Sequence, residues 1–337
     1  MRKYGMPYMG GKTKLAERFV DIFPRATHFY DLFCGGCAVA HRAIVSGKYQ
    51  HVHVNDLNPL MPKAFKMALN GEFDNERRWI SREDFERLKN SDPYVAICFS
   101  FGNNLRNYLY NSNIEEMKKA LHYAIFFLDF DLAHKYFGDR IDFIIGIEDE
   151  YQRYLAAKKA LSNKNTPPQN TSAVNGELLQ ITINQEDAGN SSCSIHNNGN
   201  AFKEYRLQYL ERKSRLQITP PQGVDVTFSD KTYQMVPILK DSVLYCDIPY
   251  EGTSEYVSNH EEFCYDDFYE WCNKQKEPLF ISSYRMPEDL FIDIMAIKHT
   301  TSLSSVSTSR TLEKLFIPIH QRDWLLPRLN NYQLSLF

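Results

Sequence analysis

The sequence predicts an α/β fold in which an open, mostly parallel sheet is interrupted by a long, mainly helical insertion. Residues 27–33 form an aromatic strand pattern that ends at a glycine turn, and residues 38–46 form a helical pattern. Residues 50–55 form a second strand pattern. This order is typical of the beginning of a βαβ unit.

The same alternation returns beyond residue 224, so the second half of the chain is predicted to complete the sheet. Residues 243–246 form a short apolar strand of the buried type, residues 268–276 are helical, and residues 279–283 form a further strand. Residues 61–215 are polar, aromatic and helix-rich. This intervening block is therefore predicted to supply something other than sheet.

These patterns predict a discontinuous sheet domain and a single large insertion. The sheet domain comprises residues 1–60 and 216–330, and the insertion comprises residues 61–215. Within the insertion, residues 162–200 are rich in Asn, Ser, Thr, Gly and Pro, which predicts a mobile segment. Residues 331–337 form a C-terminal tail peptide.

Length and composition indicate a globular protein. The chain has 337 residues, about two domains at roughly 150 residues each. With 43% hydrophobic and 24% charged residues it is neither disordered nor collagen-like. No apolar run approaches the roughly 18 residues of a membrane span, and the first residues lack the apolar core of a signal peptide. We expect no membrane association and a cytoplasmic location.

Cysteine usage and charge narrow the possible functions. The 7 cysteines are odd in number and scattered, which argues against a secreted disulfide framework and for reduced thiols. The 39 basic and 42 acidic residues give a net charge of -3. Because no global positive field would attract nucleic acid, any DNA contact must come from a local patch.

The residues Asp247, Ile248, Pro249 and Tyr250 directly follow a buried strand, where open parallel sheets place ligands. An aspartate and a backbone carbonyl held by a following proline can both accept hydrogen bonds from an exocyclic amine, and the tyrosine ring can stack on a planar base. Two such acceptors would stabilise the positive charge that develops on the nitrogen during its attack. The alternative is an ordinary turn at the end of a strand.

A second cluster, residues 33–37 with Asp56, is typical of nucleoside binding. Small residues at a strand-to-helix turn let the backbone approach a ligand, and a carboxylate after the next strand suits a ribose diol. The same residues place Cys34 and Cys37 in a Cys-x-x-Cys arrangement, so a redox dithiol or half of a zinc site is the alternative. No second cysteine pair or histidine pair completes such a metal site in the sequence.

A third cluster, residues 8–13, contains Gly10, Gly11 and Lys12. It does not fit the phosphate-loop pattern, because Met6 stands where the first glycine belongs. A tight turn that presents Lys12 to a ligand carboxylate fits better. A solvated loop lysine remains the alternative.

Together and in this order, the three clusters resemble the Dam-type DNA adenine methyltransferases, which are α-group amino-methyltransferases. The resemblance covers most of the chain. It pairs the family's aromatic-x-Gly-Gly-Lys segment with residues 8–12, Phe-x-Gly-x-Gly with residues 33–37, and the next acidic residue with Asp56. The target-recognition insertion corresponds to about residues 61–215, and Asp-Pro-Pro-Tyr corresponds to residues 247–250.

The resemblance implies a Rossmann-like methyltransferase sheet with an inserted, mainly helical target-recognition domain. It also implies S-adenosyl-L-methionine as cofactor and double-stranded DNA as partner. The methyl group would pass directly to N6 of a flipped-out adenine in a short specific sequence, without a metal. Residues 101–104, 107–110 and 310–316 are similar to the phage-borne branch of the family.

The resemblance also implies roles for individual residues. The implied cofactor-binding residues are Tyr8, Gly10, Gly11, Lys12, Phe33, Gly35, Asp56 and Asp247. Lys12 would be a candidate for the methionine carboxylate, and Asp56 would bind the ribose hydroxyls. In the catalytic motif, Asp247 and the carbonyl of Ile248 would hold the amine, Pro249 would fix the backbone, and Tyr250 would stack on adenine.

Two departures from the family pattern keep alternatives open. Cys37 replaces the second glycine of the cofactor loop, and Ile248 replaces the first proline of the catalytic motif. A decayed cofactor loop would leave a weak or inactive DNA-binding module. An Asp-x-Pro-Tyr pocket could also serve cytosine N4 or RNA.

DNA contacts are predicted at the amide-rich loop that contains Asn103, Asn104, Arg106 and Asn107, whose amides can pair with an adenine edge. Further phosphate contacts are predicted at the basic runs 77–78, 118–119, 158–159 and 203–215. Amides that cap local backbone, and solvated helix faces, are the respective alternatives.

The chain ends with Gln333, Leu334, Ser335, Leu336 and Phe337. This order resembles the peptide by which bacterial replication proteins dock on the sliding clamp. A glutamine followed by spaced leucine and phenylalanine suits a hydrophobic pocket, and a terminus can reach one. Gln333, Leu334, Leu336 and Phe337 are therefore predicted clamp-docking residues.

Overall fold

A computed structural model describes residues 4–162, 206–218, 222–250, 263–300 and 310–329. The chain divides into two compact units. The first comprises Met1–Glu76, Ile80–Leu109 and Tyr209–Phe337, and the second comprises Arg77–Trp79 and Tyr110–Gln208. The second unit is shorter than the predicted insertion, because residues 61–76, 80–109 and 209–215 belong to the first unit.

Among the described residues, seven strands form one sheet in the order β3-β2-β1-β4-β5-β7-β6. All neighbouring pairs among β1 to β5 are parallel, and β7 is antiparallel to both β5 and β6. The predicted α/β fold with a Rossmann-like sheet is therefore confirmed. The strands are β1 (His28–Asp31), β2 (His51–Asn55), β3 (Asp225–Ser229), β4 (Ser242–Asp247), β5 (Leu279–Ser283), β6 (Phe291–Thr300) and β7 (Arg310–Pro318).

Helices of the first unit flank this sheet, and the described part of the second unit is helical. In the first unit they are α1 (Ala16–Ile22), α2 (Ala38–Val45), α3 (Leu60–Leu69), α4 (Arg82–Leu88), α5 (Pro93–Phe99), α9 (Gln208–Lys213), α10 (Tyr265–Asn273) and α11 (Arg322–Leu325). In the second they are α6 (Ser112–Phe127), α7 (Asp131–Phe137) and α8 (Glu150–Ser162). Within the described ranges, no helix has the length and apolarity to cross a bilayer.

The central strands are apolar because both faces of the sheet are covered. All five residues of β5 and the first five of β4 are buried. On one face, Phe23 stacks on Phe280 with ring centroids 4.3 Å apart. On the other, Leu244 and Phe268 belong to a continuous buried cluster. These strands therefore form a rigid support for the residues at their ends.

The order of the strands determines where a ligand can bind. β1 lies between β2 and β4, and the chain direction across the sheet reverses at the junction of β1 and β4. In open parallel sheets, ligands bind beyond the carboxyl ends of the strands at such a switch point. The glycine turn at residues 33–37 follows β1, Asp56 follows β2, and Asp247 is the last residue of β4. The topology therefore brings all three to this edge.

Gly5 ties the start of the chain to the glycine turn after β1. Its φ of +70° is in the left-handed region, and a Cβ here would lie 2.4 Å from the carbonyl oxygen of Gly36. The next residue, Met6, donates its backbone N–H to that same oxygen at 2.7 Å. A residue without a side chain is required for this close approach.

Two predictions lie largely or wholly outside the described residues. Of the segment predicted to be mobile, residues 162–200, only Ser162 is described, as the last residue of α8. The tail peptide, residues 331–337, lies entirely outside them.

Candidate functional site

The site is centred on Asp247, the last residue of β4. The ammonium of Lys12 lies 2.7 Å from Oδ1 and 2.8 Å from Oδ2 of this carboxylate. Only 7% of the Lys12 side chain and 21% of the Asp247 side chain are exposed. The Lys12 ammonium also donates to the carbonyl of Gly10 at 3.3 Å, so the Gly-Gly-Lys turn is held against the end of β4.

Two hydroxyls further restrict the Asp247 carboxylate. Ser282 on β5 donates to Oδ1 at 3.0 Å, and the hydroxyl of Tyr245 lies 2.8 Å from the Ser282 oxygen. The hydroxyl of Tyr250 lies 3.2 Å from the same Oδ1 and can donate to it. The aspartate therefore has a fixed orientation before any ligand arrives, which is the preorganisation that electrostatic catalysis requires.

Tyr250 is half-buried and lies between charged groups. Its ring centroid is 5.0 Å from the Lys12 ammonium and 4.3 Å from the ring of Tyr284. Burial, reinforced by the charges of Asp247 and Glu313, holds the pKa of Tyr250 well above its ordinary value. The hydroxyl therefore keeps its proton and acts as a donor.

The other two residues of the motif fix the backbone. The Ile248 side chain is buried in the apolar cluster beneath the sheet edge. The carbonyl of Pro249 accepts a hydrogen bond from the hydroxyl of Tyr265 at 3.1 Å. The predicted catalytic residues are thus brought together with Lys12.

The glycine turn after β1 is held by Asp56. One carboxylate oxygen accepts the backbone N–H of Gly35 at 2.8 Å, and the other accepts that of Asn58 at 2.9 Å. Burial is the main cause that raises the pKa of Asp56, and the charge of Asp247 raises it further. These two carboxylates are therefore electrostatically coupled parts of the same site.

Tyr8 packs against the same turn. A Cβ on Gly35, whose φ is +43°, would lie 2.9 Å from a ring carbon of Tyr8, and one on Gly36 would lie 2.8 Å from the Tyr8 Cβ. Phe33 lies on the other side, with its ring centroid 5.4 Å from that of Tyr233 and 6.0 Å from that of Phe268. At positions 35 and 36 the turn therefore suits glycine, because a Cβ there would collide with Tyr8.

Cys34 and Cys37 have no features of a reactive dithiol. Both are buried free cysteines, and burial raises the pKa of each thiol, which disfavours the thiolate. Within the described residues, the group with the geometry to hold a metal consists of His134, Asp139 and Asp142 in the second unit. The two cysteines are not part of it.

The amide-rich loop is joined to the site by its backbone. The N–H of Met9 donates to the carbonyl of Asn103 at 3.2 Å, next to the Gly-Gly-Lys turn. The side-chain oxygen of Asn104 accepts the N–H groups of Arg106 at 2.9 Å and Asn107 at 3.1 Å, so it shapes the loop itself. Arg106 and Asn107 are exposed.

The structure adds three residues that the sequence analysis missed: Asp31, Ser282 and Glu313. Asp31 is 1% exposed at the end of β1; one oxygen accepts the N–H of Ala40 at 3.0 Å, and the other has no hydrogen-bond partner among the described residues. Glu313 is 2% exposed on β7 and lies 3.7 Å from the Lys12 ammonium. Asp31 could have been found from the sequence, because it is a carboxyl group at the end of an aromatic strand. Ser282 and Glu313 could not, because only the pairing of strands brings them to the site.

The sequence model of the family described as D12 class N6 adenine-specific DNA methyltransferase matches residues 8–280. The matched region includes the Gly-Gly-Lys turn, the glycine turn and the Asp247 motif. A search of proteins with curated functions found no significant match.

Asp31 gives a prediction about pH and stability. Burial, with the charges of Asp247 and Asp56, raises the pKa of Asp31 well above its ordinary value, so the folded chain keeps a proton that the unfolded chain has released. Its contribution to stability is therefore full below a pH of about 4 and is lost as the pH rises through the raised pKa. The free energy of unfolding of Asp31→Asn, measured relative to that of wild type, should therefore be higher at pH 8 than at pH 5.

Urea unfolding of both proteins at pH 5 and at pH 8 measures this difference. Asp289→Asn, at an exposed position, is the control and should follow the wild type. A constant difference between Asp31→Asn and wild type at both pH values would contradict the prediction.

Proposed function

Because the chain belongs to the D12 class of N6 adenine-specific DNA methyltransferases, we propose that the site around Asp247 carries out its methyl transfer. The protein is an enzyme that methylates adenine N6 in DNA with S-adenosyl-L-methionine as methyl donor. Family membership selects this activity over the cytosine N4, RNA and inactive-module alternatives. Assignment to the phage-borne branch stays a prediction.

One observation supports the proposal above the others: the Asp247 carboxylate is held by Lys12 and Ser282, with the Tyr250 hydroxyl beside it. The exocyclic amine of adenine is a weak nucleophile, because its lone pair is delocalised into the ring. In our proposal Asp247 and the carbonyl of Ile248 accept hydrogen bonds from this amine. They stabilise the positive charge that develops on N6 as the methyl group arrives.

In the same proposal, Tyr250 stacks on the adenine ring and Pro249 fixes the chain between the two acceptors. Adenine within a duplex cannot reach such a site, so the base must leave the stack. Positioning of the two reactants then supplies most of the rate. When it is bound, the cofactor supplies an electrophilic methyl group.

The cofactor is proposed to lie against the glycine turn. The turn provides backbone without side chains at Gly35, and Gly10 and Gly11 do the same beside Lys12. Tyr8 and Phe33 border it with aromatic rings, and Asp56 offers a carboxylate for ribose hydroxyls. The buried oxygen of Asp31 that lacks a hydrogen-bond partner fits a polar group of a ligand, such as the amino group of S-adenosyl-L-methionine. Lys12 stays a candidate for the methionine carboxylate.

Asp247→Ala should abolish methylation while leaving duplex binding within about threefold of wild type, because the aspartate acts on the amine and contributes little to the DNA interface. Transfer of labelled methyl groups to unmethylated DNA measures the first effect, and fluorescence anisotropy measures the second. Asp289→Ala is a matched control on an exposed turn. Substantial methylation by Asp247→Ala would refute the catalytic assignment.

DNA recognition is proposed for the loop with Asn103, Asn104, Arg106 and Asn107. Its position supports this role, since the backbone carbonyl of Asn103 accepts a hydrogen bond from the N–H of Met9, directly before Gly10. Because Asn104 uses its side-chain oxygen within the loop, exposed Asn107 is the better candidate for reading a base edge. Arg106 is proposed to contact a phosphate.

Arg106→Ala should weaken binding similarly for all DNA sequences, and the slope of log K against log salt should fall in magnitude by about 0.9. Binding measured between low and high salt, on cognate and unrelated duplexes, tests this expectation. Arg25→Ala removes the same charge from an exposed position before β1 and should leave the slope unchanged. An equal change in both variants would contradict a specific phosphate contact.

We propose, from the sequence of the tail alone, that the tail docks on the bacterial sliding clamp. A cytoplasmic location is also proposed, because the substrate is DNA. Deletion of residues 333–337 should remove clamp binding in surface plasmon resonance and leave methylation of short duplexes intact. The matched control carries the same five residues in scrambled order and should also fail to bind. Unchanged binding after deletion would end the proposal.

A further inference from the structure

Glu313 is a buried acid that belongs to the site, although the sequence analysis gave it no role beyond its place in the segment 310–316 that is similar to the phage-borne branch. It lies in the first half of β7, one position before Lys314, which pairs with Ser283 of β5. Because β7 is antiparallel to β5, its early residues lie at the carboxyl edge of β4 and β5. An acid from near the end of the chain is thereby placed beside the Asp247 motif.

The polar contacts of Glu313 are with the site. Its Oε1 accepts a hydrogen bond from the hydroxyl of Tyr250 and lies 3.7 Å from the Lys12 ammonium. An apolar side chain of similar size would fill this position in the sheet without the cost of burying a carboxylate. Packing alone therefore does not account for an acid here.

The Tyr250 hydroxyl lies between two carboxylates. It is 3.2 Å from Oδ1 of Asp247 and is also hydrogen-bonded to Glu313. A phenol has one proton, so it can donate fully to only one acceptor at a time. If it donates to Glu313, more acceptor capacity remains on Asp247 for the amine of adenine.

We propose that Glu313 is a positioning residue for methyl transfer, which draws the Tyr250 proton away from Asp247 and fixes the stacking ring. This inference rests on the proposed function of Asp247 and Tyr250. Without Glu313, the tyrosine hydroxyl would donate to Asp247 and compete with the N6–H group. Glu313 also gives Lys12 a second negative partner, which holds the ammonium between the two acids.

The proposal predicts a specific pattern of rates. Glu313→Ala should lower the single-turnover rate of methylation by about tenfold to a hundredfold through misplacement of the reacting groups, with little change in KM for DNA. Glu313→Gln keeps an oxygen that can accept from Tyr250, so its rate should lie closer to wild type. In a Tyr250→Phe background, Glu313→Ala should cause less than a threefold further loss, because the competing hydroxyl is already absent.

Binding measurements separate positioning from a general structural role. Calorimetry should give similar S-adenosyl-L-methionine affinity for all variants, and thermal unfolding should show that each is folded. A duplex with 2-aminopurine at the target adenine should show altered fluorescence in Glu313→Ala, because the ring that stacks on the base has lost its anchor. Lys314→Ala, next along β7 and ion-paired to Asp293, is the matched control and should behave as wild type.

The proposal is overturned if Glu313→Ala keeps the wild-type rate, or if the losses from Glu313→Ala and Tyr250→Phe multiply. It is also overturned if Glu313→Gln loses as much rate as Glu313→Ala. Asp247→Ala, measured in parallel, distinguishes a failure of the proposed function from a failure of the role proposed for Glu313. Methylation by Asp247→Ala would remove the proposed function itself, whereas an inactive Asp247→Ala with an unaffected Glu313→Ala would remove only this inference.

Discussion

The ion pair between Lys12 and Asp247 is the interaction on which the site depends. It joins residues 235 positions apart, one in a turn before the first helix and the other at the end of a central strand. A buried charge is tolerated when it is paired and hydrogen-bonded, so each element stabilises the position of the other. Since β1 lies directly beside β4, the glycine turn that follows β1 reaches the same place.

Acids gather around this lysine. The pKa values of Asp31, Asp56 and Glu313 are all raised, chiefly by burial and further by the charge of Asp247, while Lys12 lowers those of Asp31 and Glu313. An acidic site of this kind is costly for folding. It suits a reaction in which positive charge moves from a sulfonium to an amine, because the Asp247 carboxylate is already in place and need not reorganise as the charge moves.

Local patterns were sufficient to predict β1, β2, β4, β5 and the glycine turn, because each is a short apolar run bounded by small or polar residues. They were insufficient for β6 and β7, whose pairing is antiparallel and shifts register between Asp293 and Met295. The contacts of Ser282 and Glu313 with the site were invisible too, because Ser282 meets Asp247 through the pairing of β5 with β4 and Glu313 arrives through the pairing of β7 with β5. Residues that belong to a site through sheet pairing leave no signal in the spacing of a single sequence.

Cys37 illustrates how a departure from a family pattern can be interpreted. In the sequence, this replacement of the second glycine left open a decayed cofactor loop. The side chain is 0% exposed, and its thiol lies 3.6 Å from the carbonyl oxygen of Gly35, so it packs inside the turn. Its φ of 55° is left-handed, which costs an L-residue about 1–2 kcal/mol and explains why glycine suits the position. The cost of Cys37 is therefore a strained backbone conformation, and the burial of its side chain offsets part of that cost.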